Sequence, residues 1–424
     1  MMRALIALLL ITPCLALQAS PARVESKVRP TAQTPDANKR PLAPAATRRA
    51  ALRPPAKQDG EAEARLIEIY KLVGKGDTRD ALQKSEGLVR DHPNFQLAQL
   101  LYGDLLASRT RPVNAFGDVT DSKAAVPQLA ELRQESLLRL RALRERPAPG
   151  MVPSQFLALS PRNKHAIAID ASRARLYLFE NTEAGLKLQA DYYISIGKLG
   201  IEKFMEGDQR TPLGVYFITS NLNPKSLRDF YGAGALPINY PNQLDVKRGK
   251  TGSGIWLHGT PADQFSRAPL ASDGCVVLAN PDLQRLIRTV EIGNTPVVIA
   301  KSLNWVAPHT LKADLLSFEG QLQGWHRAKS SGDMEKLKAW YTRDFTSFGK
   351  TMEEWTPALQ AEVQQLRGRN IELKEVSYLR WTDSSDTMVV TFGELIKGAS
   401  RGRTKRQYWV RQGSQWKIFF EGTI

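Results

Sequence analysis

The 424-residue sequence contains only two cysteines, Cys14 and Cys275. Cys14 lies in an N-terminal stretch with the features of an export signal, so we expect the exported chain to keep a single cysteine. A single thiol cannot form an intramolecular disulfide, which excludes the disulfide-stabilised fold classes. Cys275 is therefore either a buried structural residue or a nucleophile, and the residues around it decide between these two roles.

Long apolar runs are absent beyond the N-terminus. Residues 1–19 combine Arg3, a short apolar stretch and small residues near Ala19, which predicts a secretory signal peptide. Pro13 interrupts that stretch, which is short for a membrane span of about 20 residues, and it fits a lipoprotein signal poorly before Cys14. We expect an exported protein of the periplasm or cell envelope. Whether the signal is cleaved stays open.

Acidic residues are in the minority, with 43 Asp and Glu against 59 Lys and Arg and a formal net charge of +16. Residues 20–60 are rich in basic residues and proline, which predicts a disordered linker. Nucleic acid is not an expected partner outside the cytoplasm. The anionic envelope surface is an available partner for this linker, and a solvated spacer without a specific partner is the equally open alternative.

The periodicity of apolar residues predicts a multidomain α+β protein. Residues 61–150 have a helical pattern with a tetratricopeptide-like helix, turn and helix, which we call the helical region. One and a half repeats are too few for a solenoid, so this region is expected to pack on its neighbour or on a second copy in a homodimer. Residues 155–302, the central region, have the alternation of a mostly β domain. Residues 308–424, the C-terminal region, begin with helices and continue with strands, as in an α+β fold.

The central region contains a thiol and an imidazole at a spacing that favours catalysis. His258 lies 17 residues before Cys275. A nearby imidazole can take the thiol proton and stabilise the thiolate as an ion pair. Gly274 allows the backbone to approach a substrate closely, and the N–H groups of Gly274 and Cys275 are candidate oxyanion donors, worth about 3 kcal/mol each. We expect a backbone carbonyl to orient His258, with Asp273 as the less favoured alternative.

Other chemistries have little support in the sequence. The remaining histidines have no ligand partners at the spacing of a metal site, so we expect no metal. Residues 249–251 resemble the end of a phosphate loop, but Leu244 occupies the position of its first glycine. We expect no cofactor.

Residues 155–302 resemble the L,D-transpeptidase (YkuD-type) catalytic domain. That family has a histidine followed by Gly-Thr and then, after a short gap, Ser/Thr-x-Gly-Cys with a leucine and an asparagine downstream. A second signature of that family is a strand that ends in Ile-Gly, followed by a Thr-Pro-x-Gly segment. Residues 196–197 and 211–217 of this sequence match it. The resemblance implies that Cys275, His258 and Gly259 are catalytic, and that substrate is bound by Ser272, Asp273, Asn280, Thr260 and Arg210.

Two positions depart from the family pattern. Asp273 occupies a position that is commonly histidine, and Val277 occupies one that is commonly an arginine that helps to hold substrate. Without that arginine, another cation must orient an anionic peptide terminus. The candidates are Arg210, Lys203, Lys247 and Lys250.

The C-terminal region resembles a nuclear-transport-factor-two-like cone, and the three regions together are similar to cell-shape-determining L,D-carboxypeptidases. The resemblance implies attack of Cys275 on the third residue of a peptidoglycan stem tetrapeptide, release of D-alanine and a thioester. An amine acceptor then gives a cross-link, and water gives a tripeptide. The sequence leaves both outcomes open. A non-catalytic wall-binding scaffold is the alternative of another class, and it predicts a damaged Cys–His pair, whereas both residues are present.

Overall fold

The structure, a computed structural model, describes residues 60–118, 126–366, 369–399 and 401–424. The predicted signal peptide at 1–19 and the predicted linker up to residue 59 lie outside these residues. Within the described ranges, no helix is both long enough and apolar enough to cross a membrane.

The helical region consists of helices, as its periodicity predicts. They are α1 (Glu61–Lys75), α2 (Thr78–Asp91), α3 (Gln96–Ala107) and α4 (Val126–Arg144). Leu66 and Ile69, which recur at helical spacing on α1, are fully buried. α1 ends at Gly76, whose left-handed backbone lets its N–H donate to the carbonyls of Leu72 and Val73. The helical character is confirmed, whereas the tetratricopeptide-like character stays a prediction.

The central region is dominated by one nine-stranded sheet in the order β6-β11-β3-β4-β5-β10-β8-β7, with β9 paired to β5. Its strands are β3 (His165–Asp170), β4 (Arg175–Thr182), β5 (Gly185–Gly197), β6 (Gly214–Phe217), β7 (Ala235–Pro237), β8 (Trp256–His258), β9 (Leu270–Ser272), β10 (Val276–Leu278) and β11 (Pro296–Ala300). Two helices accompany it, α5 (Gln243–Lys247) and α6 (Asn280–Thr289). The β11–β3, β10–β8 and β9–β5 pairs are parallel.

Both faces of this sheet carry buried side chains, as the residues of β3 illustrate. Side chains on a strand alternate between the two faces. Ile167 and Ile169 join a cluster that includes Leu283 and Leu286 of α6. Ala166 and Ala168 join a second cluster, which also includes residues of the C-terminal region such as Leu379 and Tyr408.

The C-terminal region is a curved sheet covered by helices. The helices are α7 (Lys312–Ser331), α8 (Met334–Lys338) and α9 (Met352–Leu366), and the strands are β13 (Tyr341–Ser347), β14 (Lys350–Thr351), β15 (Ile371–Thr382), β16 (Asp386–Ile396), β17 (Arg403–Gln412) and β18 (Gln415–Thr423). Its core is aromatic, with Phe318, Trp325 and Trp409 buried together. The mixed helix and strand content is confirmed, but the predicted order of helices followed by a sheet is wrong in part, because β13 and β14 precede α9 in the chain.

Two short strands connect the regions in a way that the sequence did not predict. β1 (Val152–Pro153) pairs with β12 (Trp305–Val306), so the segments before and after the central sheet run side by side. β2 (Phe156–Ala158) pairs with β15 and forms the edge of the C-terminal sheet, whose order is β14-β13-β18-β17-β16-β15-β2. Residues 156–158, which we placed in the central region, thus complete the sheet of the C-terminal region.

Candidate active site

Two neighbouring parallel strands bring His258 and Cys275 together. His258 is the last residue of β8, and Cys275 directly precedes β10. In this pair Val276 lies opposite Leu257, and Val277 lies opposite His258. At the usual strand spacing and rise, this register puts the Cα atoms of Cys275 and His258 roughly 8 Å apart. Residues that are 17 positions apart in sequence therefore lie on adjacent strands, and because Cys275 is two residues from the level of His258, both side chains point to the same face of the sheet.

The His258 ring is fixed by its own neighbour in sequence. It is buried, with 1% exposed, and its Nδ1 lies 2.7 Å from the carbonyl oxygen of Gly259. A carbonyl only accepts hydrogen bonds, so Nδ1 carries the proton and Nε2 keeps the free lone pair. Nε2 is therefore the atom that can act as a base.

Burial keeps both reacting groups neutral in the resting site. It lowers the pKa of His258 to about 4, against a hydrogen bond to Gly259 that raises it. Burial raises the pKa of the Cys275 thiol above its ordinary value, and the backbone N–H of Trp256 opposes this shift. Sγ lies 3.4 Å from the carbonyl oxygen of Gly254. These shifts favour a thiol beside a neutral imidazole, rather than the thiolate–imidazolium ion pair that we expected.

Gly274 is required by the backbone geometry of the cysteine loop. Its φ is 121°, and a Cβ atom built there would lie 2.7 Å from the carbonyl oxygen of Arg210. The Gly274 N–H donates to Ser272 Oγ at 3.1 Å, and that hydroxyl donates to the Cys275 carbonyl at 2.6 Å. Of the two expected oxyanion donors, the Gly274 N–H is thus engaged by Ser272 in this structure.

A buried threonine joins the second sequence signature to the cysteine loop. Thr211 is fully buried. Its hydroxyl donates to the Gly274 carbonyl at 2.9 Å and accepts from the Gly197 N–H at 2.9 Å. The two signatures, although far apart in sequence, therefore support the same loop.

Asn280 holds the loops on either side of His258. Its Oδ1 accepts from the N–H groups of Ala233 at 2.8 Å and Thr260 at 3.2 Å, and its Nδ2 donates to the Thr260 carbonyl at 2.8 Å. A Cβ atom at Gly259 would lie 2.0 Å from Asn280 Oδ1, so only glycine fits there. The Thr260 hydroxyl donates to the Gln264 carbonyl at 2.8 Å. In the resting site these groups serve the loop geometry, and substrate contact by Asn280 and Thr260 stays a proposal.

Of the four cations that we considered as replacements for the family arginine, the three lysines are paired with carboxylates, whereas Arg210 is not. Lys203 pairs with Asp208 at 2.8 Å and Lys250 with Asp245 at 2.8 Å. Lys247 pairs with Asp344, and Arg210 donates to the Ile201 carbonyl at 2.9 Å. Asp273, the predicted substrate contact of the cysteine loop, is exposed and pairs with Lys198 at 3.0 Å.

Sequence reasoning missed a different cation, Arg267. It lies in the loop between His258 and Cys275, and its guanidinium lies 4.3 Å from the centre of the Phe230 ring. The Phe230 ring is in turn 5.7 Å from the His258 ring. A basic residue between the two reacting residues was the one signal in the sequence that could have identified it.

The helical region contacts this same loop. Asn94 Nδ2 donates to the Ala262 carbonyl and the Phe265 N–H donates to the Asn94 carbonyl, both at 3.0 Å. The rings of Phe95 and Phe265 stack with their centres 4.3 Å apart. Within the described residues no group of three or more side chains could hold a metal ion.

Comparison with known proteins identifies two of the three regions. Residues 164–299 match YkuD, the L,D-transpeptidase catalytic domain. Residues 317–422 match the Cds6 C-terminal NTF2-like domain. The chain therefore carries a YkuD L,D-transpeptidase domain followed by an NTF2-like domain, and both resemblances seen in the sequence are confirmed.

Solved structures extend this similarity across more of the chain. Bd1075 from Bdellovibrio bacteriovorus has a TM-score of 0.54 and 25% identity, over 64% of this chain and 98% of that one. The helical cell shape determining protein Pgp2 from Campylobacter jejuni, in a mutant form, has a TM-score of 0.50 and 20% identity, over 68% of this chain and 97% of that one. The Pgp2 match shows a shared fold.

A curated relative, spermatogenesis-associated protein 22 from Homo sapiens, is 29% identical over 132 residues, or 30% of this chain. The chain spans 34% of the length of that relative.

Proposed function

We propose that the protein is a periplasmic, cysteine-dependent peptidoglycan enzyme that forms a thioester at the third residue of a stem tetrapeptide and releases D-alanine. The observation that supports this most directly is the hydrogen bond from His258 Nδ1 to the Gly259 carbonyl. It leaves Nε2 as the base, on the strand next to the one that Cys275 directly precedes. The YkuD match supplies the substrate class.

In the first step, His258 Nε2 takes the thiol proton while Cys275 Sγ attacks the carbonyl carbon of the third residue. The new S–C bond converts the carbonyl oxygen into an oxyanion, for which the Cys275 N–H is the proposed donor. The C–N bond to D-alanine then breaks, and the imidazolium returns its proton to the leaving amine. The products are free D-alanine and a thioester on Cys275.

The second step depends on the acceptor. An amine of a neighbouring stem forms a new amide bond, and the thiol is regenerated, which cross-links or remodels the wall. With water as acceptor the product is a tripeptide with a free carboxylate, the L,D-carboxypeptidase outcome. A role in cell shape is supported by the fold that the chain shares with Pgp2.

The remaining assignments are proposals on the same footing. We propose export through the signal at 1–19, an anionic envelope surface as partner of the linker at 20–60, and domain bounds of 61–150, 155–302 and 308–424. A tetratricopeptide-like helical region and a homodimer belong to the same proposal, as do Ser272, Asp273 and Arg210 as substrate contacts.

The test incubates the purified protein with disaccharide tetrapeptide and resolves the products by mass. We expect D-alanine release by the parent and by Asp263→Asn, an exposed control in the same loop, and none by Cys275→Ala. Tripeptide alone identifies a carboxypeptidase, and cross-linked dimers or exchange of the terminal residue identify a transpeptidase. If the parent released no D-alanine, the scaffold alternative would replace this proposal.

The protonation state of the resting site has its own test. Because burial raises the pKa of Cys275, we expect the rate of iodoacetamide alkylation to keep rising with pH into the alkaline range. A rate that is already at its plateau between about pH 5 and pH 8 would instead indicate a resting thiolate paired with an imidazolium.

A further inference from the structure

Arg267, like Arg210 and unlike Lys198, Lys203, Lys247 and Lys250, has no carboxylate partner within ion-pair distance among the described residues. Its side chain makes one hydrogen bond there, from Nη2 to the Phe230 carbonyl at 3.4 Å. A guanidinium has five N–H donors, so most of its capacity is unused. Asp273, the acidic residue of the cysteine loop, is already paired with Lys198 at 3.0 Å and accepts from Gln209 at 3.2 Å.

The position of Arg267 is set from three sides. Its carbonyl accepts from the Tyr193 hydroxyl at 2.9 Å, its guanidinium lies against the Phe230 ring, and Ser266 beside it donates to Glu135 at 2.8 Å. The side chain is half-buried. The charge is therefore held in place and partly removed from water, and among the described residues no carboxylate forms an ion pair with it, although Asp273 acts on it at longer range.

The charge of Arg267 reaches both reacting groups. Burial is the main cause of the lowered pKa of His258, and Arg267 lowers it further. Burial raises the pKa of Cys275, and the same guanidinium opposes that rise. Both pKa effects agree with the geometry, in which the Phe230 ring is close to the Arg267 guanidinium on one hand and to the His258 ring on the other.

We propose that Arg267 binds the terminal carboxylate of the leaving D-amino acid and so selects stems in which the scissile bond precedes the last residue. This inference rests on the proposed function. In such a stem the carboxylate is attached to the carbon next to the scissile nitrogen, so it must lie close to the thiol and to the imidazole that protonates the leaving amine. A guanidinium fits a carboxylate with two parallel hydrogen bonds.

The experiment compares kcat/KM for two stem tetrapeptides, one with a free C-terminal carboxylate and one with a C-terminal carboxamide. We expect the parent to prefer the free acid by about ten- to one-hundred-fold, the range for a hydrogen bond to a charged group. In Arg267→Gln this preference should fall towards one, mainly through loss of activity on the free acid. Arg267→Lys should keep part of it, because the charge remains.

Arg228→Gln is the matched control, since it removes one exposed positive charge from the loop that carries Phe230. It should keep the preference of the parent. If Arg267→Gln and Arg267→Lys lowered kcat/KM equally for both stems, the role of Arg267 would be structural and the inference wrong. A parent with no preference would overturn it too, while a parent that turned over neither stem would overturn the proposed function itself.

Discussion

The central region is held on two sides by contacts of opposite character. The helical region meets it through buried charges: Arg139 of α4 bonds Glu63 at 2.8 Å and Glu135 at 2.7 Å, and Arg175 of β4 bonds Glu63 at 2.7 Å. The C-terminal region meets it through a shared apolar cluster that includes Phe217 of the central sheet.

We call the first of these the ionic contact and the second the apolar contact, and they also differ in which parts of the central region they reach. The ionic contact continues through Ser266 and Phe265 into the loop between His258 and Cys275. The apolar contact involves β6 and α5, with ion pairs such as Arg248–Asp383 at its partly exposed margin. Charged groups in a dry interface have directional requirements that apolar side chains lack. We infer that the helical region positions the loop between His258 and Cys275, and that the C-terminal region supports the sheet without shaping the candidate site.

Breaking the ionic contact should have the largest effect on stability. Arg139→Met leaves the buried carboxylate of Glu135 without a cation and removes one of the two cations of Glu63. The free energy of unfolding in urea should fall by about 3–5 kcal/mol. Arg141→Met, on the same helix but in an exposed pair with Glu145, should cost less than about 1 kcal/mol. Equal effects of the two variants would show that the buried network contributes little.

A pair of phenylalanine truncations separates the functions of the two contacts. Phe265→Ala removes the ring that stacks on Phe95, and Phe419→Ala removes a buried ring of the apolar cluster. Each should cost about 3 kcal/mol of stability. At a temperature where both variants are folded, only Phe265→Ala should lower kcat, by about ten- to one-hundred-fold. A similar loss of kcat in Phe419→Ala would contradict the division.

The ionic contact should also depend on pH through Asp282. Burial, reinforced by the charge of Glu63, raises the pKa of Asp282 to about 7, and its Oδ1 accepts from the Gly60 N–H before α1. A carboxyl whose pKa is raised in the folded state adds stability below its unfolded value, and this stability is lost as the pH rises through about 7.

Between pH 5 and pH 8 the parent should therefore lose roughly 2 kcal/mol relative to Asp282→Asn, which has no titrating group at this position. Unfolding in urea at the two pH values measures the difference. A parallel pH dependence of the two proteins would mean that Asp282 titrates normally.

The smallest effect is expected at the margin of the apolar contact. Arg248 and Asp383 form a salt bridge with about a quarter to a third of each side chain exposed. Arg248→Gln should cost about 0.5–1 kcal/mol and leave kcat/KM unchanged. A double-mutant cycle with Asp383→Asn gives the coupling energy. A clear loss of kcat/KM would show that this contact also affects the site.

The sequence predicted those parts of the fold that follow from local patterns. The alternation of β3 and the helical spacing of Leu66 and Ile69 each report burial within one element. The three residues of β2 pair with a strand more than 200 positions away in sequence. A local hydrophobic pattern cannot predict such a pairing. The apolar contact with the C-terminal region was unforeseen for the same reason.

The site was predictable to the extent that short motifs fix backbone geometry. Gly274 and Gly259 occupy positions where a Cβ atom would collide with a neighbouring oxygen, so these glycines accompany the cysteine and the histidine. Arg267 is not accompanied by a required glycine or by any other motif residue, so the sequence around it does not mark its position. Its relation to His258 depends on Phe230, which the fold supplies from another loop. The protonation states depend on burial, which a motif does not reveal.

The pairing of β2 with β15 affects how this chain can be divided and how it is synthesised. During translation β2 leaves the ribosome long before its partner strand exists, so the last sheet cannot close until the whole central region has been made. A fragment cut at residue 164, where the family match begins, would leave β15 as an open sheet edge, which is prone to pair with other chains. A fragment that starts before residue 152 retains both β1 and β2, and β2 then covers the edge of that sheet.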